Sequence, residues 1–419
     1  MKIVWISDSL FSVDPINSTG GWRLPLAVGL AKSGKVQLYN IVHGKQNNGT
    51  IINEFEGIVQ YVIPKYRRGD HRFNKYEPNW SCKLIASILD EIKPDVVHFW
   101  GTESRLCSIH TKGYVKYPCV IDIQGLFSSY YYYYYGDMTP MEVFRSSANL
   151  YALLHRHGSP YEGMKSYKKH GKWEQDVLKS FKNISVQSHW VEEQIKSFHS
   201  DATFHHTGIA LRKEFCESTA WLPHPEHSSP VIYSSAANFE QPYKGLYVLL
   251  KALIVLRQTY PNIELRLAGH MNLKKSGIQQ GYRALLTRFI RQNKLERNIQ
   301  FLGPLQAADI VRELHDADIC VVPSFVETYC LAAAESMTVG CPTICSYAGA
   351  MPELARDGEG AIFYNSIDYK GLSDRIICLF LDKEKCSKMG AMSRAKHLMD
   401  HDISVLVDKQ VRIYKDIIG

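Results

Sequence analysis

The chain has 419 residues, of which 45% are hydrophobic and 22% charged, with a formal net charge of +7. That length exceeds one ordinary core and predicts two domains, and the composition excludes a disordered chain. No apolar run is long enough to span a bilayer, and Met1-Lys2 leads straight into IVWIS without a leader pattern, so the reading is a cytoplasmic protein.

In chain order, residues 3–6 read as a first buried strand and 22–33 as a helix after the pair Gly20-Gly21. Strands follow at 36–42 and 58–63, then a helix at 82–92 and strands at 95–99 and 119–123. The ISVQS stretch at 184–188 reads as another strand, with a helix at 190–197. Strands alternating with helices predict a parallel sheet covered on both faces. A polar stretch from His205 to Pro230, rich in proline and histidine, reads as the connection to a second series. That series runs strand 230–235, helix 247–260, strand 263–268, helix 282–293, strand 298–302, helix 307–316 and strand 319–322. The last stretch, 403–418, is amphipathic. The expected class is α/β with two Rossmann-like domains, one over 1–205 and one over 206–400, followed by a C-terminal helix over 401–419.

Basic residues gather at Lys65, Arg67, Arg68, Arg72 and Lys75, and again at Lys165, Lys168, Lys169 and Lys172. Such clusters suit phosphates or an anionic membrane face, and equally a plain solvated surface. No zinc-finger, helix-turn-helix or RNA-recognition signature accompanies them, so nucleic acid is not an expected partner. The ten cysteines read as free buried thiols, because Cys341 and Cys345 have no second pair at zinc-ligand spacing. Six consecutive tyrosines, Tyr130–Tyr135, suit sugar stacking, a membrane interface or core filling.

The densest chemistry lies between Ile319 and Glu353, ICVVPSFVETYCLAAAESMTVGCPTICSYAGAMPE. A buried strand ends at Pro323-Ser324, a loop carries Glu327, and a helix from about Cys330 to Gly340 carries Glu335. Backbone N–H groups from Thr328 through Tyr329 and Cys330 to Leu331 would crown that helix, a ready anion site. A phosphate held near two carboxylates that accept sugar hydroxyls is what a nucleotide-sugar pocket requires.

These residues resemble the E-x7-E signature of retaining glycosyltransferases, specifically glycosyltransferase family 4 and its GT-B relatives, with two Rossmann-like domains facing a central cleft. The signature stands here as Pro323-Ser324-Phe325-Val326-Glu327-Thr328-Tyr329-Cys330, then Glu335-Ser336-Met337-Thr338-Val339-Gly340-Cys341-Pro342 and Gly349-Ala350-Met351-Pro352-Glu353. The resemblance implies that Glu327 contacts the donor sugar, with the amides after it on sugar and phosphate, and that Glu335 accepts the ribose hydroxyls. It places the Gly303-Pro304-Leu305 loop beside the nucleobase and Gly20-Gly21 near the donor phosphate. Lys244 matches the cation that holds the diphosphate, but the Arg that usually precedes it is missing; Asn238 or Phe239 stands near its place. Gln124-Gly125 stands where the family often has His-Asp or His-Gly, and glutamine cannot accept a proton near neutral pH. His98 also matches a family habit, as a structural or a catalytic residue.

The implied catalytic set is Glu327, Lys244 and Gln124, with no metal and no cofactor beyond a nucleoside diphosphate-sugar donor. The implied partner is a glycan or lipid-linked acceptor, at the inner membrane face or in solution. A non-catalytic nucleotide-sugar-binding relative, or an epimerase or phosphorylase of the same fold, stays open beside it.

Overall fold

Near-continuous apolar runs make strands that are buried on both faces, and in this chain they assemble into two separate sheets. The computed structural model describes residues 1–12, 21–67, 70, 76–148, 159–271 and 281–419. Gly20, Arg68, Arg72 and Lys75 lie outside the described residues. The chain divides into two compact units, one made of residues 1–126, 171–212 and 401–419, the other of 127–170 and 213–400.

The first unit holds strands β1 (Lys2–Ile6), β2 (Gln37–His43), β3 (Ile51–Phe55), β4 (Ile58–Ile63), β5 (Val96–Trp100), β6 (Cys119–Asp122), β7 (Asn183–Val186) and β8 (Thr203–His206). They lie in the order β3-β4-β2-β1-β5-β6-β7-β8. Only β3 runs antiparallel, paired with β4 across a two-residue turn, Glu56-Gly57, in which both residues have positive φ. Sequence patterning passes over β3 because it is an exposed edge strand with no buried alternation.

The C-terminal helix Ile403–Ile418 belongs to this first unit and buries Leu406, Val407, Val411 and Tyr414 in its core. It lies close against the helix Leu24–Lys32, where a Cβ on Gly29 would stand 2.9 Å from a Val407 methyl. Tyr414 accepts a hydrogen bond from Trp5 Nε1 at 2.9 Å and donates one to His98 Nδ1 at 2.8 Å. His98 is fully buried and stacks on Trp100 at 4.5 Å. Burial, then the Arg23 charge, push its pKa down to about 3, so the ring is neutral. His98 therefore holds the C-terminal helix against β5, a structural task.

The second unit holds β9 (Val231–Asn238), β10 (Glu264–His270), β11 (Ile299–Gly303), β12 (Ile319–Val322), β13 (Thr343–Ser346) and β14 (Ile362–Tyr364). All are parallel, in the order β11-β10-β9-β12-β13-β14. This is the doubly wound arrangement, and its direction reverses between β9 and β12, where the carboxyl ends of the strands leave a crevice for ligands.

Segment 127–170 departs from the expected continuous 1–205 domain by grouping with the second unit. Polar contacts explain its allegiance: Lys251 donates to Asp137 at 2.7 Å, and Tyr247 to Glu142 at 2.7 Å. Glu142 is itself fixed by a capping box with Thr139 at the start of the helix Pro140–Ser147. The tyrosine run splits between two roles. Tyr130 and Tyr134 are buried while Tyr132 and Tyr133 face solvent, as expected of a helix, Phe127–Tyr133, lying on a surface. The expected connection over 205–230 is partly structured. β8 reaches His206, a short helix spans Lys213–Cys216, and Trp221 donates its ring N–H to Ala317 and its backbone N–H to Val339.

Candidate functional site

Three loops leave the carboxyl ends of the neighbouring strands β9, β12 and β13, and close backbone contacts lock them together. After β9, a turn at Pro242–Lys244 ends at Gly245, whose φ is +73°. A Cβ there would stand 1.9 Å from the carbonyl oxygen of Pro323, so the β9 loop lies directly against the end of β12. Phe325 N–H donates to Tyr243 C=O at 2.7 Å, which ties the same two loops. From β13, Gly349 approaches Glu327 so closely that a Cβ would be 2.2 Å from the Glu327 carbonyl oxygen. Ala350 N–H donates to that oxygen at 2.9 Å. The backbone of Glu327 is therefore held by the β13 loop while its side chain stays free to reach the β9 loop.

It does so. Lys244 Nζ donates to Glu327 Oε1 at 2.6 Å, with the two side chains only 19% and 11% exposed. Burial works against the Lys244 charge, but the adjacent Glu327 carboxylate outweighs it and holds the lysine above its ordinary pKa. Two residues picked out separately in the sequence thus form one ion pair at the switch point.

The helix Leu331–Val339 starts directly after this loop. Its N-cap, Cys330, sits in the left-handed region (φ +89°) and supplies no side-chain cap. The first N–H groups of the helix therefore have no cap from Cys330, which suits an anion. Leu331 is the first helical residue, Thr328 and Cys330 are buried and Tyr329 is half-buried. Glu335 is buried one turn on. The helix ends as the sequence predicts, at Gly340 with φ +89°, where Gly340 and Cys341 N–H groups both return to Ser336 C=O.

Other predicted residues stand apart from this pair. Gly303 and Leu305 lie at the same edge of the sheet but beyond β11, the outermost strand. Gly21 and Gln124 belong to the first unit. There Gln124 and Glu103 share a corner, both crowding the point where a Cβ on Gly101 would stand.

Two features escaped sequence reasoning. Arg283, from the helix Gly281–Gln292, reaches back to Glu240 at 2.7 Å, so a guanidinium does attend the β9 loop, from 39 residues beyond Lys244. An aromatic cluster also flanks Lys244. Tyr243 lies 5.5 Å from Tyr130, 6.1 Å from Tyr134 and 5.9 Å from Tyr167, ring to ring. The Tyr167 and Tyr243 hydroxyls meet at 3.2 Å. Only the aromatic run itself signalled this cluster in advance.

Among the described residues, the groups that could hold a metal ion lie outside these loops, at His189/Glu192/His206 and His224/Glu226/His227.

Residues 224–396 match the family model described as Glycosyl transferases group 1. A glycogen synthase of Mycobacterium tuberculosis is 26% identical over 41% of this chain and 39% of its own, so the match spans about two fifths of that relative. Among solved structures, a sucrose-phosphate synthase from Thermosynechococcus elongatus superposes with a TM-score of 0.68 at 16% identity, covering 99% of this chain and 98% of that one. The Anabaena protein HepE, solved in complex with UDP and glucose, superposes at 0.64 with 15% identity, covering 99% of each chain. Residues 224–396 are thus similar to the group 1 glycosyl transferases, set within a chain that has the GT-B fold.

Proposed function

We propose that this protein is a retaining, metal-independent glycosyltransferase that moves a sugar from a nucleoside diphosphate-sugar to an acceptor hydroxyl. The observation that carries the reading is the Lys244–Glu327 pair at the sheet's switch point, directly before a helix start that Cys330 leaves uncapped. Lys244 and the amides at Cys330 and Leu331 would take the diphosphate, whose charge grows as the glycosidic bond breaks. Glu327 would contact the sugar, Glu335 the ribose hydroxyls, and Gly303 to Leu305 the base. Arg283 is the candidate for the cation that the β9 loop itself lacks. Gly20, Gly21 and Gln124 are the remaining residues proposed for the transferred sugar and the acceptor.

In the reaction, the bond from the anomeric carbon to the phosphate oxygen breaks and one to the acceptor oxygen forms on the same face. The acceptor proton passes to the departing phosphate oxygen, so Gln124 need not act as a base. With Lys244 and backbone amides on the diphosphate, no divalent metal is required there.

We place the activity in cell-surface polysaccharide or lipid-linked glycan synthesis at a cytoplasmic membrane face. Among the described residues no helix is long and apolar enough to cross a membrane. The second unit does expose Tyr132, Phe144 and Tyr161, with Lys165 over the Tyr161 ring and Lys168 over that of Tyr131, a combination that suits peripheral contact with anionic lipid.

The test is thermal stability of the purified protein against nucleotides and nucleotide sugars, beside Lys244→Ala and Glu335→Ala. A ligand of the folded state raises the melting temperature by mass action. A shift with one base's diphosphate, lost in both variants, supports the reading and names the donor for acceptor screening. No shift at millimolar nucleotide refutes it. Binding without turnover of any acceptor would favour a non-catalytic relative, which the missing Arg before Lys244 already suggests.

A further inference from the structure

The segment entering the second unit carries His224-Pro225-Glu226-His227, and its hydrogen bonds set up an unusual convergence. His224 Nε2 lies 2.6 Å from the carbonyl oxygen of His315. A carbonyl only accepts, so Nε2 carries the proton and Nδ1 of the neutral ring presents a lone pair. That Nδ1 faces Glu226 Oε1 at 3.1 Å. His227 is arranged in mirror fashion. Its Nδ1 lies 2.9 Å from Asp318 Oδ2, while its Nε2 faces the same Glu226 oxygen at 3.9 Å. Asp318 is buried and acts here as an acceptor, also taking Val231 N–H and Lys383 Nζ at 2.9 Å each. The two imidazoles stack at 4.7 Å with 19° between planes, which fixes their relative orientation.

The outer hydrogen bonds leave His224 Nδ1 and His227 Nε2 directed at one carboxylate oxygen of Glu226. One cation placed between these three atoms would meet all of them at once. Each histidine already has the outer partner typical of metal sites: a carbonyl behind one and a carboxylate behind the other. Ligands at about 2.1 Å in tetrahedral array stand about 3.4 Å apart, and the two observed separations bracket that distance.

We propose that His224 Nδ1, Glu226 Oε1 and His227 Nε2 form a binding site for a divalent transition metal of the zinc class. The nitrogen and carboxylate donors select such an ion over calcium or magnesium. Side-chain exposures of 20%, 64% and 26% leave room for water in the fourth position. The site is structural. Asp318 immediately precedes β12 and Val231 opens β9, so the metal sits at the amino edge of the sheet, with the strands' length between it and Lys244. There it clips the segment before β9 to the residues 315–318 that lead into β12.

The test uses the full chain stripped with a chelator, titrated with Zn²⁺ and with Co²⁺ as a spectroscopic probe. Expected are one tight equivalent of metal at this cluster, tetrahedral Co²⁺ absorption bands and a raised melting temperature. Glu226→Gln alters an exposed side chain without changing its volume and weakens binding at least tenfold; His227→Ala does the same. His189→Ala, in the other histidine cluster, leaves the affinity unchanged, and the nucleotide-induced thermal shift is the same with and without metal. Wild-type affinity in Glu226→Gln, loss of the site in His189→Ala, or no metal bound by the wild type would each overturn the assignment. The last result would mean that the histidines are protonated and pair with Glu226 as ions.

Discussion

Lys244 and Glu327 offer a measurable account of how the switch point is held. At 2.6 Å, unit charges attract by about 6 kcal/mol at an effective dielectric constant of about 20. Desolvation offsets much of this, so the pair as a whole adds little net stability. Removing one partner is different: a buried charge left alone costs about 3–5 kcal/mol. Because both side chains keep some exposure, the lower end applies, about 3 kcal/mol for Lys244→Met. Glu327→Gln should cost less, about 1–2 kcal/mol, since the lysine stem can swing its ammonium to water. The double variant removes both charges and should be more stable than Lys244→Met alone, giving a coupling of about 2 kcal/mol. Denaturant midpoints of the four proteins measure it, and nucleoside diphosphate titrations of the same set test the functional side. Lys244→Met should bind about 10–100-fold more weakly, the worth of one hydrogen bond to a charged group. Strictly additive stabilities would show that the ion pair does not couple the β9 and β12 loops, and unchanged nucleotide affinity would remove Lys244 from the donor site.

His98 predicts an acid-side loss of stability. Its folded pKa is lowered to about 3 from an ordinary 6.5, so its contribution is complete above pH 6.5 and falls by about 1.4 kcal/mol per pH unit toward pH 3. Asp122, buried and pushed up to about 8, has the opposite slope between pH 3.8 and 8, so the readout is the difference between wild type and His98→Gln across pH 4 to 7. Parallel stability profiles would contradict the buried neutral ring. Gly349→Ala should cost about 2–4 kcal/mol, from overpacking against the Glu327 backbone and a positive φ of 55°, and should abolish the nucleotide thermal shift. At Cys330, whose φ is +89°, Gly should preserve nucleotide binding whereas Val should lose it, as binding titrations on the two variants will show.

Much of this protein is written locally. Unbroken apolar runs such as 319–322 place the parallel strands, since strands covered on both faces need no polar alternation. The terminating Gly340 was legible because a left-handed cap imposes its residue type, whereas Glu327 and Glu335 were singled out by their eight-residue spacing within the E-x7-E pattern. Strand order, by contrast, decides which distant residues meet. It joined Lys244 to Glu327 across 83 positions and His98 to Tyr414 across 316. It also set His315 and Asp318 behind the histidines of 224–227 and drew 127–170 into the second unit. No short-range period encodes such partners, because burial and charge pairing across a sheet are settled only when the strands come together.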